Sequence, residues 1–205
     1  MENLSSEVHA LADAFRRNAK SEENFFWQTL QSDINGKTSW GEHISLYHGV
    51  AGIAFFLYEY GRAFNNAAAK DLAMQSLLSV IKSDDNEKPK SFALYTGILG
   101  AYVCLAKIEC TEKIAVDPHL YNSLKTQIKS YIENPVPVDD FINGNSGTIL
   151  GLLQLAYYKK DDDYLSFAHR LTEHLISRAY LSKSGLYWDR SQHTVSGLCG
   201  LSHGT

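Results

Sequence analysis

A recurring glycine pattern is the feature that most constrains the fold of this chain. Gly-x-x-Gly occurs at 49–52, 97–100 and 144–147, and His203-Gly204-Thr205 begins a fourth copy. The first glycines, 49, 97, 144 and 204, lie 48, 47 and 60 residues apart. Such a period fits one helix-loop-helix-loop module, so we predict a helical repeat protein.

The segments that follow each glycine pair predict two kinds of helix. Those directly after the second glycine, IAFFLYEYGRAF, AYVCLAKI and TILGLLQLAYY, are apolar on almost every face, and we interpret them as inner helices. The next segments, 67–81, 118–132 and 164–179, carry Leu, Ile and Phe at three- and four-residue spacings. We interpret these as outer helices, joined by polar irregular links. No alternating run predicts a strand.

A helix pair repeated in this way can form an open solenoid or a closed toroid. We favour closure, because glycines at the start of each inner helix allow several helices to converge at one end. The predicted fold is all-α, an α/α toroid built from repeated helix pairs. We predict an N-terminal helical segment at 1–44, free of strands, and toroid repeats at 45–205, with three complete units and the start of a fourth.

Charge and cysteine content narrow the function classes. The chain of 205 residues has 19 Lys and Arg against 23 Asp and Glu, without long runs of one sign, so neither nucleic acid nor a membrane surface is indicated as a partner. No apolar stretch approaches the roughly 20 residues of a membrane-spanning helix. Three cysteines without a secretory signal predict a reducing, cytoplasmic location.

Four segments carry a family resemblance. LYHGVAGIAFFL, LYTGILGAYVCLA, DFINGNSGTILGLLQL and GLCGLSHGT resemble the glycine-motif repeats in the first half of lanthionine synthetase C-like proteins. The resemblance runs from 45 to 205. It implies a double α-toroid of seven inner and seven outer helices, of which this chain would supply about half.

The resemblance also implies an activity. The family's cyclases add a peptide cysteine thiol to dehydroalanine or dehydrobutyrine and form a thioether ring, and related proteins add glutathione instead. The implied partners are a dehydrated precursor peptide or a glutathione-type thiol, with a dehydratase as a further candidate. In the family, a zinc ion held by two Cys and one His in the second half of the toroid activates the thiol.

The resemblance places two site residues in this chain. Asp140, in Asp-Phe-Ile-Asn-Gly, matches the family's aspartate before the third inner helix, and His203 matches its histidine at the start of the fourth. We predict general acid/base chemistry for His203 and an orienting or proton-handling role for Asp140. The alternatives are a helix-capping role for Asp140, with Asp139 as the uninformative neighbour, and a packing role for His203, as for His48.

The zinc ligands themselves are not predicted in this chain. Ser202 stands where the family has a cysteine directly before His-Gly, and Cys199 with His203 straddles a loop start. Cys104 and Cys110 fall in and after an inner helix, where buried thiols behave as small apolar groups. We therefore expect a fragment that is inactive alone. A second chain or self-association that completes the toroid is the alternative.

Two other functions stay open at this point. A carbohydrate-active α/α barrel would use Tyr187, Trp188 and Asp189 as a sugar platform with Asp140 as the partner carboxylate, although a loop packed over the toroid mouth explains that triplet more simply. The second open function is a non-catalytic helical repeat that binds a peptide. Sequence beyond Thr205 would separate them: a Cys-His-Gly motif indicates the cyclase, and paired carboxylates indicate a glycosidase.

Overall fold

A computed structural model describes residues 2–19, 27–32, 36–84, 92–183 and 185–188. Within these ranges the protein has seven helices and four short strands. In chain order they are α1 (Glu2–Asn18), β1 (Gln28–Ser32), β2 (Thr38–Glu42), α2 (Val50–Ala63), α3 (Ala67–Asp84), α4 (Leu99–Glu112), α5 (Pro118–Glu133), α6 (Asn145–Lys159), α7 (Asp162–Ser177), β3 (Tyr180–Ser182) and β4 (Gly185–Tyr187).

The helix bounds confirm the predicted all-α class and the repeated helix pairs of an α/α-toroid fold. Helices α2, α4 and α6 are the expected inner helices, and α3, α5 and α7 the expected outer ones. The chain divides into two compact units, Met1–Lys88 and Pro89–Thr205. The first unit holds α1 to α3 with β1 and β2, and the second holds α4 to α7 with β3 and β4.

In the first unit, α2 and α3 form the helix pair and α1 packs beside them. Leu57 and Tyr58 of α2 are fully buried. On α1, the ring nitrogen Nδ1 of His9 lies 2.7 Å from the Tyr60 hydroxyl, and the ring of Phe15 contacts that of Phe56. The N-terminal segment therefore contains a helix, α1, and the aromatic side chains of α1 attach it to the first inner helix.

The prediction of a strand-free N-terminal segment was wrong. Strands β1 and β2 form an antiparallel hairpin with Leu30 opposite Trp40. Both side chains are more than half exposed, whereas Trp27, just before β1, is buried and donates its indole N–H to the Phe15 carbonyl at 2.9 Å. A second hairpin, β3–β4, occupies part of the link expected to be irregular.

The second unit shows the predicted contrast between inner and outer helices. In α4, the residues from Leu99 to Ala106 are all buried, as expected for an inner helix. Helices α5 and α7 bury one face each. Both outer helices begin at an aspartate cap: Asp117 accepts a hydrogen bond from the His119 N–H at 2.9 Å, and Asp161 from the Asp163 N–H at 3.1 Å.

A charged cluster joins α4, α5 and α6. Glu109 of α4 is only 6% exposed, and both of its carboxylate oxygens lie 3.1 Å from the ammonium group of Lys159 on α6. The Tyr121 hydroxyl on α5 also donates to Glu109, and the Val116 N–H donates to it at 3.1 Å. Burial, followed by the hydrogen bond to Glu109, raises the pKa of Tyr121 well above its usual range.

Candidate functional site

The turn before α6 holds the predicted site residue Asp140. This side chain is 1% exposed, and its Oδ1 accepts a hydrogen bond from the Asn143 N–H at 2.6 Å. The N-terminal cap residue of α6 is Gly144, so Asp140 closes the turn 140–143 rather than capping the helix directly.

Two glycines let this turn lie against the start of α6. A Cβ atom at Gly144 would come less than 3.0 Å from the Val138 carbonyl oxygen, and one at Gly147 less than 3.0 Å from that of Phe141. Real Cβ atoms essentially never approach so closely. Glycine at these two positions therefore lets the turn contact the start of its own helix, and any side chain at either position would displace the turn.

The first repeat contains the same turn with a different side chain. Ser45 takes the place of Asp140, four residues before the first glycine of its motif, and is fully buried. Its hydroxyl oxygen accepts from the His48 N–H at 3.3 Å, as the Asp140 carboxylate does from the Asn143 N–H. A neutral hydroxyl can therefore accept the hydrogen bond that closes the turn, as the carboxylate does.

The second repeat needs no polar side chain at this place. Ala93 stands four residues before Gly97, and the Ala93 backbone carbonyl accepts from the Gly97 N–H at 2.9 Å. The same turn precedes the inner helix there. Since Ser, Ala and Asp all occupy the position, formation of the turn does not explain why the third repeat has a buried acid.

Hydrogen bonds hold the stretch just before Asp140, residues 136–139, which we call the 136–139 loop. Each of its four backbone carbonyls accepts at least one hydrogen bond. Val136 O accepts from Asn145 Nδ2 (2.9 Å) and Arg178 Nη1 (3.3 Å), Pro137 O from Arg178 Nη2 (3.1 Å), Val138 O from the Asn145 N–H (2.9 Å), and Asp139 O from Ser146 Oγ (2.5 Å).

Asp139 is part of the same network. Its carboxylate is 8% exposed, accepts from Asn145 Nδ2 at 2.7 Å and lies 3.3 Å from Arg178 Nη2. Asn145 is fully buried and accepts from the Tyr131 hydroxyl at 2.6 Å. Burial raises the pKa of Tyr131, so this hydroxyl stays a donor across the physiological pH range.

Comparison with known proteins identifies the family. Residues 42–205 match the family of lanthionine synthetase C-like proteins. The chain belongs to this family. In an alignment of 167 positions that covers 77% of the chain, it is 25% identical to the lacticin 481/lactococcin biosynthesis protein LcnDR2 of Lactococcus lactis subsp. lactis. The chain spans only 18% of the length of that relative.

Membership of the lanthionine synthetase C-like family confirms the resemblance predicted from the glycine motifs. It leaves the carbohydrate-active alternative without support. In the described part of the second unit, Trp188 donates its indole N–H to the Leu175 carbonyl at 2.7 Å, and Tyr187 stacks on Tyr180. No helix in the described ranges is both long and apolar enough to cross a membrane.

Several predicted positions lie outside the described residues, namely His203, Cys199, Ser202 and Asp189. The proton-transfer role of His203 stays a prediction. Of the two described cysteines, Cys104 is buried inside α4 as expected. Cys110 was predicted to follow that helix, but it lies inside α4 and is exposed.

The described side chains do not fit the zinc site of the lanthionine synthetase C-like family. Within the described ranges, no three His, Cys, Asp or Glu side chains come close enough to hold a metal ion. Cys104 and Cys110 lie six positions apart on one helix, which turns about 100° per residue, so their side chains lie on different faces of the helix. No chemical step is therefore assigned to a metal held by these residues.

Proposed function

We propose that this chain is part of a cyclase that adds a peptide cysteine thiol to dehydroalanine or dehydrobutyrine. The family match over 42–205 and the relative named for lacticin 481 biosynthesis support this class of reaction. A dehydrated precursor peptide is then the substrate, residues 45–205 are the repeat domain, and the cytoplasm keeps the attacking thiol reduced.

The observation that carries the proposal is the buried carboxylate of Asp140. Its place in the repeat is filled by Ser45 and Ala93 elsewhere, so the fold does not require an acid there. Buried ionisable groups that the fold does not require are candidates for chemistry, which supports this assignment of Asp140.

The reaction needs proton handling at two points. The thiol loses its proton, and its sulfur forms a bond to the β-carbon of the dehydroamino acid. The electron pair of the carbon–carbon double bond moves to give an enolate, and the α-carbon then takes up a proton. We assign Asp140 an orienting or proton-handling role and His203 the general acid/base role in these transfers.

Replacing Asp140 by serine tests the assignment cleanly. Because Ser45 closes the equivalent turn with a hydroxyl, we expect Asp140→Ser to keep an acceptor for the Asn143 N–H while it removes the acid. In the complete protein, we expect thioether formation on a dehydrated peptide to fall by about 10²–10⁴-fold, the usual contribution of a general acid or base.

The matched control is Ser45→Ala, which removes a turn acceptor at the equivalent position of the first repeat. Its rate should stay within about twofold of the parent protein, because Ala93 shows that the turn forms without a side-chain acceptor. An Asp140→Ser protein that cyclises at the parent rate, with the parent circular dichroism spectrum, would remove Asp140 from the mechanism.

Two further measurements test the rest of the proposal. His203→Ala should abolish one limb of the pH–rate profile, and an unchanged profile would exclude the acid/base role.

We also propose that residues 1–205 alone neither bind zinc nor cyclise the peptide. Metal analysis of this purified chain tests that statement, and one zinc ion per chain would contradict it.

A further inference from the structure

The 136–139 loop is more completely bonded than a connecting loop requires. Its four successive carbonyls accept from three side chains and one backbone N–H, and Val136 O has both of its lone pairs occupied, by Asn145 and Arg178. These donors come from the start of α6 and the end of α7. The residue that immediately follows this loop is Asp140.

Arg178 is suited to hold such a loop. Its planar guanidinium group donates to two neighbouring carbonyls, 3.3 Å and 3.1 Å away, and also pairs with the Asp139 carboxylate at 3.3 Å. A lysine ammonium group has the same charge but not this fixed fork of donors. Arg178 thus fixes the path of the backbone as well as neutralising a nearly buried charge.

Two polar side chains of this network, Asp139 and Asn145, have apolar counterparts in the other repeats. The place of Asp139 is taken by Ile44 in the first repeat and by Phe92 in the second, and the place of Asn145 by the buried residues Val50 and Ile98. Apolar residues therefore suffice to begin an inner helix in this fold. The polar network occurs in the repeat that also holds the buried acid.

We propose that Arg178 and Asn145 are positioning residues that fix the 136–139 loop and thereby the carboxylate of Asp140. This inference rests on the proposed function, because it assigns the two residues to the proton-handling step of Asp140. Their effect is indirect: they hold the backbone on one side of Asp140, while the Asn143 N–H holds its carboxylate on the other. A displacement of about 1 Å at a reacting group can lower a rate by about 100-fold.

Arg178→Ala is the first variant to test. The Arg178 side chain is 30% exposed at the end of α7, and the circular dichroism spectrum of the variant checks that the helices remain. In the complete protein we expect kcat for thioether formation to fall by about 10- to 100-fold, with KM for the dehydrated peptide changed by less than about threefold. Arg178→Lys should recover part of the loss, and Arg170→Ala, an exposed position on the same helix, should have no effect.

A double variant separates positioning from a general structural effect. If Arg178 acts through Asp140, adding Arg178→Ala to Asp140→Ser should lower the residual rate no further. Hydrogen exchange should also be faster in the peptide 136–147 of Arg178→Ala and unchanged in the rest of α5 to α7.

The outcomes distinguish the two proposals. An active Asp140→Ser protein would refute the proposed function of Asp140. An inactive Asp140→Ser protein together with a fully active Arg178→Ala protein would refute only the positioning role. A further rate loss in the double variant, or faster exchange throughout α5 to α7, would also overturn positioning, because the effect would then be one of overall stability.

Discussion

Lys159→Met is the substitution whose consequence for stability follows most directly from the structure. The Lys159 ammonium group lies 3.9 Å from the centroid of the Tyr121 ring. Methionine keeps most of the length of the side chain over this ring but removes the charge. Glu109, 6% exposed, then loses both of its 3.1 Å contacts with a cation.

The expected loss can be bounded. Removing one partner of a buried ion pair typically costs about 3–5 kcal/mol, because the remaining charge is left uncompensated. Lys159 is 25% exposed, and Glu109 keeps the Tyr121 hydroxyl and the Val116 N–H as donors. We therefore expect a decrease of about 2–3 kcal/mol in the free energy of unfolding of the second unit.

Urea unfolding followed by circular dichroism would measure this change, seen as a lower midpoint with an unchanged slope. Adding Glu109→Gln should restore more than about half of the loss, because a neutral amide needs no counterion. Lys129→Met, on the exposed surface of α5, is the control and should change stability by less than about 0.5 kcal/mol. If Lys159→Met is no more destabilising than this control, the cluster does not hold the three helices together.

Two further predictions concern the turns before the inner helices. Gly147→Ala places a methyl group less than 3.0 Å from the Phe141 carbonyl oxygen and should cost about 1–3 kcal/mol in a urea titration; an unchanged midpoint would show that the turn yields freely. Burial, and then the charge of His48, lowers the pKa of His43 below its ordinary value of 6.5. Neutral His43 therefore contributes to the stability of the folded protein above pH 6.5, and this contribution is lost as the pH falls. Unfolding midpoints at pH 7.5 and 5.5 should differ less in His43→Asn than in the parent, and equal differences would contradict this.

The inner and outer helices could be predicted because their signals are local. A glycine pair followed by an apolar run predicts each inner helix. Apolar residues at three- and four-residue spacings predict each outer helix. The place of Asp140 before the third inner helix follows from the same motif. Its burial and its bond to the Asn143 N–H do not, because they depend on how closely the turn packs.

The β1–β2 hairpin and the polar network around Arg178 were not predicted. The sequence carries only a weak signal for the hairpin and none for the network. Strand β1 reads QTLQS and strand β2 TSWGE, so each contributes a single large apolar side chain, Leu30 or Trp40, and neither side chain is buried. Asp139 looked uninformative because Arg178 lies 39 residues later and nothing in the local sequence links them. Long-range ion pairs of this kind are set by packing of the helix pairs, which a single sequence does not reveal.

The shared turn before the inner helices has a consequence for protein engineering. One backbone shape accommodates a hydroxyl at Ser45, a methyl at Ala93 and a carboxylate at Asp140. Chemistry at this position can therefore be exchanged by a single codon change while the repeat architecture is left alone. An acid placed at 45 or 93, together with polar neighbours like those of Asp140, would create a second buried carboxylate on the same scaffold.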